Sequence, residues 1–228
     1  MQRGFPIRSE CLWSGDKKNI RKHMSRDLKD FSVQLPINRD LIIYQTEVKE
    51  KLYDFNHTRP AQHAERQVIL NSILGAANGV TIVPPFFCDL GHNIHFKCGG
   101  FLNTNVTILD IAPVTIGEYV QMGPNVVIST VGHPLDLAQR VLPIAAGNPI
   151  VIEDNVWLGA GAIVLDGVTI GARSVIGAGS VVTRDIPPDC VAVGNPCRVI
   201  RQIEHSEMPS EAGLDEMWRD LDFIESEK

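Results

Sequence analysis

The sequence predicts a mainly β protein: a parallel β-helix of triangular coils, preceded by helices and followed by a short C-terminal helix. Three observations carry this. From Ile152 to Pro187 an aliphatic residue returns at every sixth position, at Ile152, Leu158, Val164, Ile170, Ile176 and Val182. That period belongs neither to a strand, which alternates every ~2 residues, nor to a helix, which repeats every ~3.6. Glycine directly follows three of those positions, at Gly159, Gly171 and Gly177, where a tight corner excludes larger side chains. The same register extends backwards through Ile128, Met122 and Ile116, then Ile108, Leu102 and Phe96, then Cys88 and Ile82, with a two-residue slip between each group. Each hexad makes one short strand and a turn, three hexads close a coil, and coils stack at ~4.8 Å with the aliphatic column filling the axis.

The elements follow in order. Residues 1–79 form an N-terminal segment, 80–202 the β-helix and 203–228 an acidic tail. Before Asp40, Pro6, Gly15 and Pro36 break the pattern, leaving room for a short helix between Lys17 and Phe31. Ile42, Ile43, Val48, Leu52 and Phe55 have helical spacing and predict an amphipathic helix ending near Asn56. Pro60 opens a second helix, with Val68, Ile69, Ile73 and Leu74 on its apolar side and Gly75 to Gly79 as its stop. From 129 to 150 the period vanishes, and an aperiodic loop of that length inside a repeat is usually functional or disordered. Leu214, Met217, Leu221 and Ile224 predict the C-terminal helix.

Composition narrows the function classes. The formal charge of −6 argues against nucleic acid as the default partner. Its ends differ in sign, with eight Lys or Arg against four acids in residues 1–30 and nine acids against two basic residues in 204–228. No apolar run approaches the ~20 residues of a membrane span, and the first residues lack the apolar core of a secretory signal. A cytoplasmic protein without membrane contact is expected. The five cysteines form no CxxC pair, so they are expected to be reduced and structural, and no metal is expected.

The aperiodic loop supplies one titratable group suited to chemistry. His133 precedes Pro134, which holds its backbone extended, and a neutral imidazole accepts a proton near neutral pH. Prisms of this kind associate side by side, so sites form in clefts between subunits. Two other readings stand beside an enzyme using His133: a non-catalytic trimeric β-helix scaffold, and a zinc enzyme of the γ-carbonic-anhydrase type using the His92-x-x-His95 pair.

A series of motifs then brings a family into view. Tyr53-Asp54-Phe55-Asn56-His57, Asn103 to Asp110, Pro113-Val114-Thr115-Ile116-Gly117, Gly123-Pro124-Asn125-Val126, Gly132-His133-Pro134, Asn155 to Gly159, Gly167 to Gly171, Gly177-Ala178-Gly179-Ser180 and Pro196 to Ile200 together resemble the maltose, galactoside and nodulation-factor O-acetyltransferases. The resemblance covers about residues 41 to 203. It implies a left-handed β-helix, a homotrimer, acetyl-CoA as cosubstrate and a small-molecule hydroxyl acceptor, either a sugar or a less polar metabolite. It further implies His133 as general base and Asn103 as the group orienting the acceptor hydroxyl. Asp110 and Trp157 would line the acceptor site, with Trp157 also touching the cofactor. Ala160, Gly177, Ala178 and Thr183 would lie along pantetheine, and Arg184, Arg198 and Arg201 near the nucleotide phosphates. Asn105 and Asp110 also have structural readings, as a corner-laddering asparagine and as a turn aspartate.

The chain departs from the family pattern at the end of the loop. Where relatives carry a Glu shortly before Gly-Lys-Pro, this chain reads Ile144-Ala145-Ala146-Gly147-Asn148-Pro149. An apolar loop wall there points to an acceptor less polar than a sugar. Neither Asn38 nor Asp40 can be assigned to the family's N-terminal acceptor-contacting aspartate.

Overall fold

The computed structural model describes residues 27–207. The predicted C-terminal helix, Cys11 and most of the segment between Lys17 and Phe31 lie outside the described residues; Leu28–Asp30 is a single turn of 3-10 helix. Parallel strands stack into three faces of a prism. The first face holds Thr81–Ile82, Phe101–Leu102, Gln121–Met122, Trp157–Leu158, Val175–Ile176 and Cys190–Val193, closed by the antiparallel Arg198–Gln202. The second holds Phe86–Cys88, Val106–Leu109, Val127–Ser129, Ile163–Val164 and Val181–Val182. The third holds Ile94–Phe96, Val114–Ile116, Ile150–Ile152 and Thr169–Ile170, and Ile186 bridges to Ile170 above it.

Every hexad aliphatic points inward. Leu102, Ile108, Ile116, Ile128, Ile152, Leu158, Val164, Ile170, Ile176 and Val182 are all at 0% exposure. One edge absorbs every irregularity. The two-residue slips fall after Cys88 and after Ile108, and the aperiodic segment falls after Ile128, all three between the second and third faces. The other corners are shorter, so extra residues are extruded where the turn is already wide.

The first coil's open end exposes apolar backbone and side chains, and the two predicted helices cover it. Helix α1 (Arg39–Asn56) is started by the Asn38 side chain, which accepts from the Leu41 N–H at 2.9 Å. It buries Val48, Leu52 and Phe55. Ile42 and Ile43, expected on the apolar stripe, lie beyond the coil's reach and remain 54% and 45% exposed. Helix α2 (His63–Ile73) begins after Pro60, because Arg59 to Gln62 forms a separate turn. It packs through Leu70 and Ile73, while Val68, one of its expected apolar contacts, faces outward.

The central column sets stability. Ile128→Ala removes packing in the middle coil from a site that cannot collapse, since strands above and below fix it. We expect a loss of about 2–5 kcal/mol, read as a lower urea midpoint at fixed protein concentration. A shift below about 1 kcal/mol would show that the stack relaxes around the cavity.

Candidate active site

The aperiodic segment folds into a small sheet of its own. Val131–Gly132 and Ile144–Gly147 run antiparallel, and the N-terminal strand Val33–Pro36 adds to the outer edge of the latter. Between them lies the short helix α3 (Leu137–Arg140), capped by Asp136. The absence of a six-residue period thus marked antiparallel pairing. Thr130 roots the segment: it is fully buried, its hydroxyl donates to the Leu109 carbonyl at 2.8 Å and accepts from the Ala112 N–H at 3.0 Å. His133 follows immediately on Gly132 and is exposed on the protomer surface, at the edge between the second and third faces.

Asn103 sits at the opposite edge. It directly follows Phe101–Leu102 on the first face, so the whole width of the second face separates it from His133 in one protomer. Its side-chain oxygen accepts from the Thr104 N–H at 2.8 Å, which aims the amide nitrogen away from the backbone. Ala160, Gly177 and Ala178 continue the same edge in higher coils. This corner is flat for a backbone reason. Asn105, Asn125, Gly161 and Gly179 all adopt the left-handed conformation at one corner position, with φ of 62°, 61°, 68° and 68°. Asn105 donates to Asn125 at 2.6 Å, which is the laddering asparagine the sequence suggested. Gly177 is small because a Cβ there would meet Val193 at 2.6 Å.

Of the remaining exposed predicted residues, two join the His133 edge and three stand on the first face. Thr183 and Arg184 are exposed and follow Val181–Val182, two coils above the root of the His133 segment and on the same edge. Trp157 projects from the first face beside Ala160 and is 53% exposed. Arg198 and Arg201 lie on the terminal antiparallel strand, Arg198 opposite Val193 next to the Ala178 corner.

Asp110 is on the His133 edge but fully buried. Its Oδ1 accepts from the Leu90 and Asp89 N–H groups at 2.8 and 3.1 Å, so it ties down the corner of the coil below. Burial raises its pKa, opposed by those amides, and its Oδ2 lacks a partner. Cys88 lies nearby, its thiol pushed up by burial and by the Asp110 charge, which suits a packing role and not a nucleophile. Cys88, Cys98, Cys190 and Cys197 are all free thiols.

Sequence reasoning did not reveal a groove of about 350 Å³ beside this edge, lined by Leu35, Pro36, Leu41 and Leu90 together with the polar Asn38, Asp40, Tyr44 and His92. Leu35 pairs with Ala145, one row beyond the Gly132–Ala146 pair and therefore level with His133. His92 is held by the Tyr44 hydroxyl at 3.0 Å, and His95 stands on the third face. Among the described residues no three His, Cys, Asp or Glu side chains are placed to share a metal ion, and no helix is long and apolar enough to cross a membrane.

Comparison with known proteins places this geometry. Residues 149–184 match the bacterial transferase hexapeptide family (six repeats), and residues 36–79 match the maltose acetyltransferase hexapeptide capping motif. The galactoside O-acetyltransferase of Escherichia coli is 42% identical over 156 residues, covering 68% of this chain and 77% of that protein. The chain belongs to the hexapeptide-repeat acetyltransferases. The structure of a maltose O-acetyltransferase from Clostridium difficile superimposes with a TM-score of 0.71 at 42% identity, covering 74% of this chain and 90% of that one. A hexapeptide-repeat acetyltransferase of Vibrio cholerae, solved in complex with acetyl-CoA, gives 0.69 at 36% identity over 74% and 91% of the two chains. The acetyltransferase fold therefore spans the capping helices and the coils, and the two edges of its second face carry His133, Thr183 and Arg184 on one side and Asn103, Ala160, Gly177 and Ala178 on the other.

Proposed function

We propose that the protein is a homotrimeric O-acetyltransferase that moves acetyl from acetyl-CoA to a hydroxyl of a small acceptor, with His133 as general base. One observation carries the reading: Asn103 and His133, with most of the other predicted site residues, stand on the two opposite edges of a single largely apolar face. Along the second face the outward side chains are Phe87, Thr107, Val127, Ile163 and Val181, in register coil on coil. Such a ladder calls for a covering surface, and three prisms turning this face to a common axis cover it with copies of itself. Each subunit's Asn103 edge then meets its neighbour's His133 edge. The heights agree, with His133 leaving the third coil next to Asn103 of the second, and Arg184 level with Ala178 in the fifth.

The cleft suits the two substrates. From Asn103 up through Ala160 and Ala178 to Arg198 the edge rises about four coils, or roughly 19 Å at ~4.8 Å per coil, the scale of an extended pantetheine arm. Small residues leave that edge open, and arginine at its top suits phosphate. His133 takes the proton of the acceptor hydroxyl as the oxygen attacks the thioester carbonyl. The tetrahedral intermediate then collapses, the C–S bond breaks, and the imidazolium returns the proton to the departing CoA sulfur. Alignment of two substrates supplies much of the acceleration for an already activated thioester. Asn103 orients the hydroxyl and Trp157 lines the mouth. Asp110 supports the corner beneath and carries the least weight as an acceptor contact, because it is fully buried and its Oδ1 is taken by the corner amides.

The acceptor is a hydroxyl on an apolar scaffold. Leu35, Pro36, Leu41 and Leu90 give the groove apolar contact area, with Asn38, Asp40, Tyr44 and His92 among its lining to hold a hydroxyl. A CoA-release screen across sugars, lipophilic alcohols and amines tests this. Lipophilic alcohols should give the highest kcat/KM, by about tenfold or more, since each buried methylene contributes ~0.8 kcal/mol. Equal or faster turnover of simple sugars would refute the apolar acceptor while leaving the acetyltransferase reading intact.

A further inference from the structure

We infer that residues 27–37 form a strap that holds the His133 segment in its working position, with Asn148 as the positioning residue at its root. This rests on the reading of His133 as the base. The segment bearing His133 has only two paired residues of its own, Val131 and Gly132, and a two-residue ladder is a weak support for a group that must meet a hydroxyl within hydrogen-bond distance. The strap adds a third strand to the sheet. Val33, Gln34, Leu35 and Pro36 pair with Gly147, Ala146, Ala145 and Ile144, so Gln34, Ala146 and Gly132 lie in one row and His133 follows directly on it.

Side chains fasten the N-terminal half of the strap, and backbone hydrogen bonds hold the rest. At the far end, the Gln139 side chain accepts from the Leu28 N–H at 2.7 Å and donates to Asp27 Oδ1 at 3.2 Å. Along its course the Ile37 N–H donates to the Pro143 carbonyl at 2.8 Å. At the root, Asn148 serves three partners at once. Its Oδ1 accepts from the Ser32 N–H at 2.9 Å, and its Nδ2 donates to the Asp30 carbonyl at 3.3 Å and to Asp166 Oδ2 at 3.0 Å. Its backbone N–H donates to the buried Thr130 carbonyl at 3.0 Å. Strap, segment root and the next coil therefore meet at one amide. A lysine here, as in the family pattern, offers donors but no acceptor for the Ser32 N–H.

The test compares full-chain variants in the acetyl transfer assay. Asn148→Ala should lower kcat by roughly tenfold or more, as misplacement of a reacting group by ~1 Å costs on the order of 10²-fold. The KM for acetyl-CoA should stay within about twofold, because Ala160, Gly177 and Ala178 lie across the second face from Asn148. Backbone amides of 131–134 and 144–147 should exchange faster in deuterium-exchange measurements. Asn148→Asp sets two carboxylates together and should be worse still, whereas Asn148→Asp combined with Asp166→Asn restores a donor and acceptor pair and should recover most of kcat. Gln139→Ala, which frees the strap's first residues, should show the same kcat loss in milder form and serves if the root variants fail to fold. Wild-type kcat in both Asn148→Ala and Gln139→Ala, or a double variant no better than Asn148→Asp, overturns the strap. If His133→Ala alone keeps full activity, the underlying reading of the base has failed instead.

Discussion

His133→Ala lowers kcat by about 10²–10⁴-fold, the usual worth of a positioned general base, while trimer formation and acetyl-CoA binding stay unchanged. The expectation follows from where the residue stands. His133 is exposed on a segment outside the coil stack and contributes nothing to the aliphatic column, so removing its ring opens no cavity. The small-residue edge proposed for the cofactor lies across the second face and is not touched in the same protomer. The measurement is CoA release with a competent acceptor, alongside acetyl-CoA binding by calorimetry. Undiminished turnover in the variant would end the mechanism proposed above; lost cofactor binding would show that the histidine is part of the cofactor wall.

The second large effect is a gain. Protomers carrying His133→Ala and protomers carrying Asn103→Ala are each expected to be nearly inactive, the latter because losing a donor to reacting oxygen costs on the order of 10²-fold. Co-expressed at equal levels, they should recover roughly a quarter of wild-type activity per site. A site needs an intact His133 from one subunit and an intact Asn103 from its neighbour, each present with a chance of about one half in a randomly assembled ring. The proposed trimer requires this, since one protomer holds the two residues at opposite edges of its second face. Activity of the mixture no higher than that of its parents would mean that both groups act within one chain, and the shared site would be wrong.

The fold was largely legible because its signal is local and repeated. Six-residue spacing placed the core residues from Ile82 to Val182, and helical spacing placed the buried side of α1 at Val48, Leu52 and Phe55. Periodicity misjudged the margins. Ile42, Ile43 and Val68 have the right spacing but nothing to pack on in the protomer, because the open end of one coil is smaller than two helix faces. For the site, Asn103 and His133 could be named but not located relative to each other. Assigning them to opposite edges requires knowing which corner absorbs each slip. Asp110 shows the same limit: an aspartate at a coil corner reads alike whether it faces a ligand or, as here, the buried amides of Leu90 and Asp89.

By itself the sequence determined the coil, the column of aliphatics along its axis, the capping helices and the histidine set outside the repeat. These depend on residues a few positions apart, and such spacing is written directly in the chain. Only the tertiary structure decided that the aperiodic segment is an antiparallel sheet joined by the N-terminal strand, and that Asn103 and His133 stand at opposite edges of one largely apolar face. The strap's hydrogen bonds join residues 111 and 116 positions apart, a separation that leaves no local pattern to read. The two edges arise from stacking, which brings every third hexad into register and makes neighbours of residues the chain itself keeps apart.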